Sequence, residues 1–201
     1  STVGSYPSYH LNNVPMRSQT ASENGSIGGV ICSPTTTAMA VEYMGTYASS
    51  LSTAYDMYDN VWGRYGNWSF AAAYAGEKGY TAYIDFYDVA MAKYALSQGV
   101  VLGCSTMLTA SGHIVLLTGY DEANDQFIVN DPAVSPSNPQ VTRYSVSYFT
   151  QRWFESETNN LGVVYVFQKT RDLESFNNQS PADYANNSMV KIKNVATGKY
   201  L

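Results

Sequence analysis

The sequence predicts an α+β fold: a helical N-terminal part packed on a C-terminal antiparallel β-sheet. Two patterns carry this. Between residues 34 and 98 the apolar residues recur mostly at helical spacing, whereas after Gly99 they fall in short runs divided by turn residues. Helices first and strands later indicate segregated α+β rather than alternating α/β. At 201 residues the chain is long enough for one domain with a substantial core.

Residues 1–31 are rich in Ser, Gly, Asn and Pro and read as an irregular segment that closes in the turn-prone stretch Gly25–Gly29. A helix follows from about Pro34 to Tyr47, because Pro suits a first helical turn and Ala38, Val41, Met44 and Ala48 recur along one stripe. Its many small residues predict close packing on several sides. A second helix fits 51–62, with Leu51, Tyr55, Tyr58 and Trp62 on one face that reads as core. A third fits 70–78, capped by Ser69 and stopped by Gly79, and a short strand is expected at 80–84. Residues 88–98 form a fourth helix, with Asp88 as cap and Gly99 as stop. Val100–Thr106 is a strand. His113–Tyr120 and Gln126–Asn130 flank the turn-rich Asp121–Asp125 and read as a β-hairpin. A proline-rich loop at 132–139 leads to a short helix around Val146–Phe154, and Gly162–Gln168 is the last strong strand. The expected domain is 1–170. Residues 171–188 read as a linker, and no internal repeat is evident.

Charge and composition narrow the function. Charged residues are 13% of the chain, against about 25% in ordinary globular proteins. Tyrosine reaches 18 residues, and the net charge of −5 argues against a nucleic-acid partner. No apolar run approaches the roughly 18 residues of a membrane span. The chain opens Ser-Thr-Val-Gly without the charged and apolar regions of a targeting signal, which fits a trimmed or processed chain, and low charge with abundant Tyr, Ser and Asn suggests secretion. Two Cys and two His exclude a disulfide scaffold, a Cys-rich zinc site and a three-His metal site, so neither metal nor cofactor is expected.

The same scarcity leaves four Cys–His pairings, and one stands out. Cys32 lies at the start of the first predicted helix, where free N–H groups and about half a positive charge favour thiolate over thiol. A Cys so placed can serve as a nucleophile. Cys104 lies inside an apolar strand and reads as a core thiol, and His10 reads as a surface residue. His113 opens a strand beside the flexible Ser111-Gly112. With the hairpin centred near residue 122, position 113 faces 131, Val115 faces Val129 and Leu117 faces Phe127. Asp131 then lies beside the imidazole and can fix its tautomer and stabilise its cation. A slip of one residue would substitute Asn130, which remains a rival orienter. Gln19, upstream of Cys32, can donate to an oxyanion beside the Cys32 backbone N–H.

The ordered set Gln19, Cys32-Ser-Pro-Thr35, Gly112-His113-Ile-Val-Leu-Leu-Thr-Gly-Tyr-Asp121 and Asn130-Asp131-Pro132 resembles the C39-like cysteine peptidases of papain-like fold, over roughly residues 14–168. The resemblance implies Cys32 as nucleophile, His113 as general base, Asp131 as its orienter and Gln19 as oxyanion donor. It implies a peptidase acting on a peptide or protein substrate, expected to be bacterial and, from composition, secreted. The family often has Gly where this chain has Ser33, so substrate approach is expected to differ there. Leader peptidases fused to peptide-exporting transporters share the family, but these residues include no transporter domain, so that role is not implied. A transpeptidase or amidase acting on cell-wall peptides would use the same groups. A catalytically silent binding or adhesion domain is the remaining alternative, and the complete Cys–His–Asp set argues against it. The tail Val190–Leu201 looks like the first strand of a β-trefoil lectin module, which would bring glycan contact through a C-terminal module outside these residues.

Overall fold

The computed structural model describes residues 7–154 and 160–169. The linker and trefoil expectations fall on 171–201, outside the described residues. The helices are α1 (Cys32–Met44), α2 (Ser50–Asp56), α3 (Trp68–Glu77), α4 (Val89–Ser97) and α5 (Val146–Trp153). The strands are β1 (Tyr9–His10), β2 (Thr81–Tyr87), β3 (Val101–Thr106), β4 (His113–Asp121), β5 (Gln126–Asn130), β6 (Thr142–Ser145) and β7 (Gly162–Gln168). They form one antiparallel sheet in the order β2-β7-β3-β4-β5-β6, and β1 pairs with β4 at Tyr120 and Gly119, beyond the last residue of β3 paired there. Helices gathered before and beside an antiparallel sheet are the α+β arrangement the sequence predicts.

The sheet and α1 form the core. Every residue of α1 from Ser33 to Val41 is buried, as its small-residue composition anticipates. Its Thr residues need polar partners there. Thr36 Oγ1 donates to the Ile114 carbonyl at 3.1 Å and Thr37 Oγ1 to the Ser33 carbonyl at 2.9 Å. The Thr36 bond fastens α1 to β4 one residue after His113. Burial of Leu102, Leu116, Leu117, Val166 and Phe167 on the two faces of the sheet contributes about 1.5–3 kcal/mol per side chain.

Several expectations need correction. The helix expected at 51–62 stops at Asp56, because the Asp59 carboxylate gathers the N–H groups of Val61 and Trp62 at 2.9 and 3.0 Å and turns the chain. Its buried positions are Ser50, Thr53 and Ala54, whereas Tyr55 and Trp62 are exposed, so the aromatic stripe is not core. Asn67, not Ser69, caps α3, accepting from the Ser69 N–H at 3.1 Å. Asp88 caps α4 as predicted. β1 and the 3-10 helix over Ser22–Val30 lie in the segment expected to be irregular, and β6 lies where no element is expected.

The hairpin register also differs. Leu117 pairs with Val129 and Tyr120 with Phe127, so the pairing is displaced from the expected one. The turn is centred further along the chain, and a β-bulge falls between Leu117 and Gly119. Thr118 occupies it. Its hydroxyl donates toward the Ile128 carbonyl at 3.3 Å and Asn130 Oδ1 at 3.1 Å. Leu11 N–H donates to the Thr118 carbonyl at 3.0 Å. Gly119 admits β1, since a Cβ there would run into the Tyr9 carbonyl.

Candidate active site

Cys32 is the first residue of α1 and is partly buried. Ile31 precedes it and supplies no side-chain cap, so no side chain competes for the N–H groups of the first turn. Pro34 removes one of those donors, and Thr35 N–H is spent on the Ile31 carbonyl at 3.0 Å. The donor field of the helix end therefore centres on Cys32 and Ser33.

The thiol meets His113 by hydrogen bond and also interacts with the backbone of Ile114 and Ser33. Burial pushes its pKa up. The hydrogen bond and charge of His113, with the two backbone groups, outweigh this and hold it below the ordinary thiol value. His113 shows the mirror effect. Burial disfavours its cation, but Asp131 and Cys32 raise its pKa to about 9. Burial likewise acts to raise the pKa of Asp131, and His113 and the Ala133 N–H bring it below the carboxylate range. All three shifts favour the charged forms: thiolate at Cys32, imidazolium at His113 and carboxylate at Asp131.

His113 Nε2 lies 2.7 Å from Asp131 Oδ1, which also accepts the Ala133 N–H at 2.8 Å. With Nε2 engaged, Nδ1 is the ring nitrogen left for Cys32. The displaced register explains why this contact survives. Continued one residue past β5, the pairing sets Asp131 opposite Val115, a diagonal neighbour of His113 on the same face. The turn-side register continued without the Thr118 bulge would set it opposite Leu116, on the other face. The bulge thus delivers the carboxylate to the imidazole.

Asn130 goes elsewhere. Its amide is buried and donates to the Val14 and Pro15 carbonyls at 3.4 and 3.2 Å, binding the N-terminal segment to β5. That segment carries Gln19, whose backbone N–H donates to the Pro132 carbonyl at 2.7 Å. Gln19 is buried, and Nε2 donates to the Gly28 carbonyl at 2.9 Å, which engages one of its two amide hydrogens. Gly28 is required there, because a Cβ would stand 2.7 Å from the Gln19 carbonyl oxygen. The structure therefore joins Gln19 to the chain on both sides of the site: to the residue after Asp131 and to the helix leading into Cys32.

Ser33 departs from expectation. Its side chain is buried, with Oγ 3.1 Å from the Tyr165 hydroxyl of β7, so it faces the interior rather than an approaching substrate. Cys104 is fully buried in β3 and burial raises its pKa strongly, as expected of a core thiol; both cysteines are free. His10 is half-buried on β1 against Gly119 rather than lying on the open surface. Sequence reading missed two groups at the site, Thr36 beneath Ile114 and Tyr144 on β6, whose hydroxyl lies 3.4 Å from Asp131 Oδ2. Neither residue type signals such a role, and β6 falls between the expected loop at 132–139 and the expected helix from Val146. Among the described residues no cluster of three or more Cys, His, Asp or Glu could hold a metal ion, and no helix is long and apolar enough to cross a membrane.

The helix–sheet layering is that of papain-like peptidase domains. The chain belongs to the Peptidase_C39 like family, whose model matches residues 11–160. Two solved structures share the fold. The peptidase domain of Streptococcus ComA, a bi-functional ABC transporter involved in a quorum sensing pathway, is 19% identical with a TM-score of 0.55, over 71% of this chain and 93% of that one. A double glycine motif protease from an AMS/PCAT transporter, in complex with the leader peptide, is 16% identical with a TM-score of 0.54, over 81% of this chain and 99% of that one. No curated protein matches the sequence. Family membership marks the chain as a peptidase.

Proposed function

We propose that the chain is a secreted bacterial cysteine peptidase that hydrolyses peptide bonds with Cys32 as nucleophile, His113 as general acid and base, Asp131 as its orienter and Gln19 as oxyanion donor. The observation that carries this is the single chain of contacts from the α1 N-terminus through His113 to Asp131, with Nε2–Oδ1 at 2.7 Å. The Cys32 thiolate attacks the scissile carbonyl carbon and forms a C–S bond. Charge gathers on the carbonyl oxygen, where the Cys32 backbone N–H and the second Gln19 amide hydrogen would receive it. The His113 imidazolium protonates the leaving nitrogen, the C–N bond breaks, and an acyl thioester remains on Cys32. Neutral His113 then takes a proton from water, whose oxygen attacks the thioester. The acid leaves, and the thiolate–imidazolium pair is restored. Asp131 keeps its charge throughout and holds the ring.

A peptide substrate also fits the second structural neighbour, which was solved with a leader peptide. The test is a diverse peptide pool incubated with the wild type and with Cys32→Ala, followed by mass spectrometry. Pairs of new termini formed only by the wild type, with one water added per bond broken, support hydrolysis. Cleavage that persists in Cys32→Ala refutes the nucleophile. Products joined to an added amine in place of water would make the protein a transpeptidase on the same machinery.

A further inference from the structure

The proposed chemistry leaves one partner of Asp131 unused. Oδ1 is fully engaged, by His113 at 2.7 Å and by the Ala133 N–H at 2.8 Å. Oδ2 accepts from the Tyr144 hydroxyl at 3.4 Å. A carboxylate held through one oxygen can swing about its Cβ–Cγ bond, whereas one held through both loses a hydrogen bond when it turns. Tyr144 is itself well fixed. Its strand pairs it with Phe127, and its ring stacks on Tyr148 with centroids 5.8 Å apart and 25° between planes. Phe149 of α5 packs against the same ring at 6.1 Å. Burial and the Asp131 charge push the Tyr144 pKa up to about 12, so the phenol keeps its proton at neutral pH.

The geometry points to Tyr144 as a positioning residue, whose hydroxyl fixes the Asp131 carboxylate in the orientation that presents Oδ1 to His113. It rests on the peptidase reading above and extends it by one member, so that β6 has a task in the site. The titratable groups facing His113 are Cys32 from α1 and Asp131 from the segment after β5, and Asp131 faces Tyr144 from β6. Without the hydroxyl, only the contacts at Oδ1 orient the carboxylate, which turns more readily from the ring, and the imidazolium loses part of its partner.

Tyr144→Phe removes only the hydroxyl, and Tyr148→Phe is the matched control on the stacked neighbour. The first readout is the His113 titration by NMR, made unambiguous by His10→Gln because the chain has two histidines. Tyr144→Phe should raise the imidazolium dissociation constant about threefold or more, moving the titration below that of the wild type. It should also lower kcat about fivefold or more while KM changes less than about twofold, the signature of a misaligned site rather than lost binding. Tyr148→Phe should change neither. A His113 titration and kcat unchanged in Tyr144→Phe, or a titration that moves upward, would overturn the assignment. The NMR readout needs no turnover. Absence of Cys32-dependent cleavage in the wild type would defeat the peptidase reading while leaving the Tyr144 result legible. If Tyr144→Phe lowers the folded population, the resonance of the folded remainder still reports the titration.

Discussion

Asn130 and Asp131 are neighbours in sequence and do different work. Asp131 faces His113, while the Asn130 amide binds the carbonyls of Val14 and Pro15. Asp131→Asn keeps the shape and loses the charge, so kcat should fall by about 10² or more, given that the analogous change in a serine triad costs about 10⁴. Loss of that charge should also move the alkaline limb of the pH–kcat/KM profile, which reports the free enzyme. Asp131 raises the His113 pKa, which places the limb at about 9 in the wild type. The variant should lose activity at lower pH. Asn130→Ala should instead leave buried carbonyls without a donor, costing about 1–3 kcal/mol of stability with a much smaller change in kcat per folded molecule. Parallel kinetics and denaturant melts separate the two. A crippling Asn130→Ala beside a silent Asp131→Asn would reverse the roles.

Whole elements, too, are placed by single bonds. α1 and β4 carry the nucleophile and the imidazole, and the Thr36–Ile114 bond ties them together directly beneath both. Thr36→Val keeps the shape and strands the Ile114 carbonyl, so stability should drop by about 1–3 kcal/mol, and kcat should fall as the Cys32–His113 geometry loosens. A stable variant with wild-type kcat would show that packing alone sets the spacing. The 3-10 helix before Cys32 is placed against Gln19 through Gly28. Gly28→Ala forces a methyl onto the Gln19 backbone, which cannot give way as a flexible side chain would. It should lower kcat while slow labelling of Cys32 by iodoacetamide persists, because the thiolate does not depend on Gln19. Loss of that labelling would place the damage at α1 instead.

Across the molecule, the chemistry was more legible in the sequence than the geometry that assembles it. Cys32 announced itself by standing at a helix start, and Cys104 by lying within an apolar strand. Asp131 was found through a register that the Thr118 bulge then altered; the residue survived because the displacement kept it on the face of His113. A bulge leaves no mark in hydrophobic alternation when both flanking stretches are buried, as they are along β4. Tyr55 and Trp62 misled for a related reason. Helical spacing groups residues on a face but does not say which face is covered, and Asp59 ended the helix before the stripe was complete. β6 is four residues long and too short for periodicity to reveal.

The central claim is that Cys32 and His113 exist as a thiolate–imidazolium pair, and the rate of Cys32 alkylation by iodoacetamide as a function of pH tests it directly. The chain contains one other cysteine, Cys104, and its burial in β3 should keep it unlabelled in the folded protein. Cys32 ionises below the ordinary thiol value and His113 loses its proton at about 9. The rate should therefore rise at a pH below that of a free thiol, hold a plateau, and step upward near pH 9 as the imidazolium discharges and the thiolate becomes more basic. His113→Ala should abolish the plateau. A single rise at the pH of a free thiol, near 8.5, unchanged in His113→Ala, would show that the pair does not form.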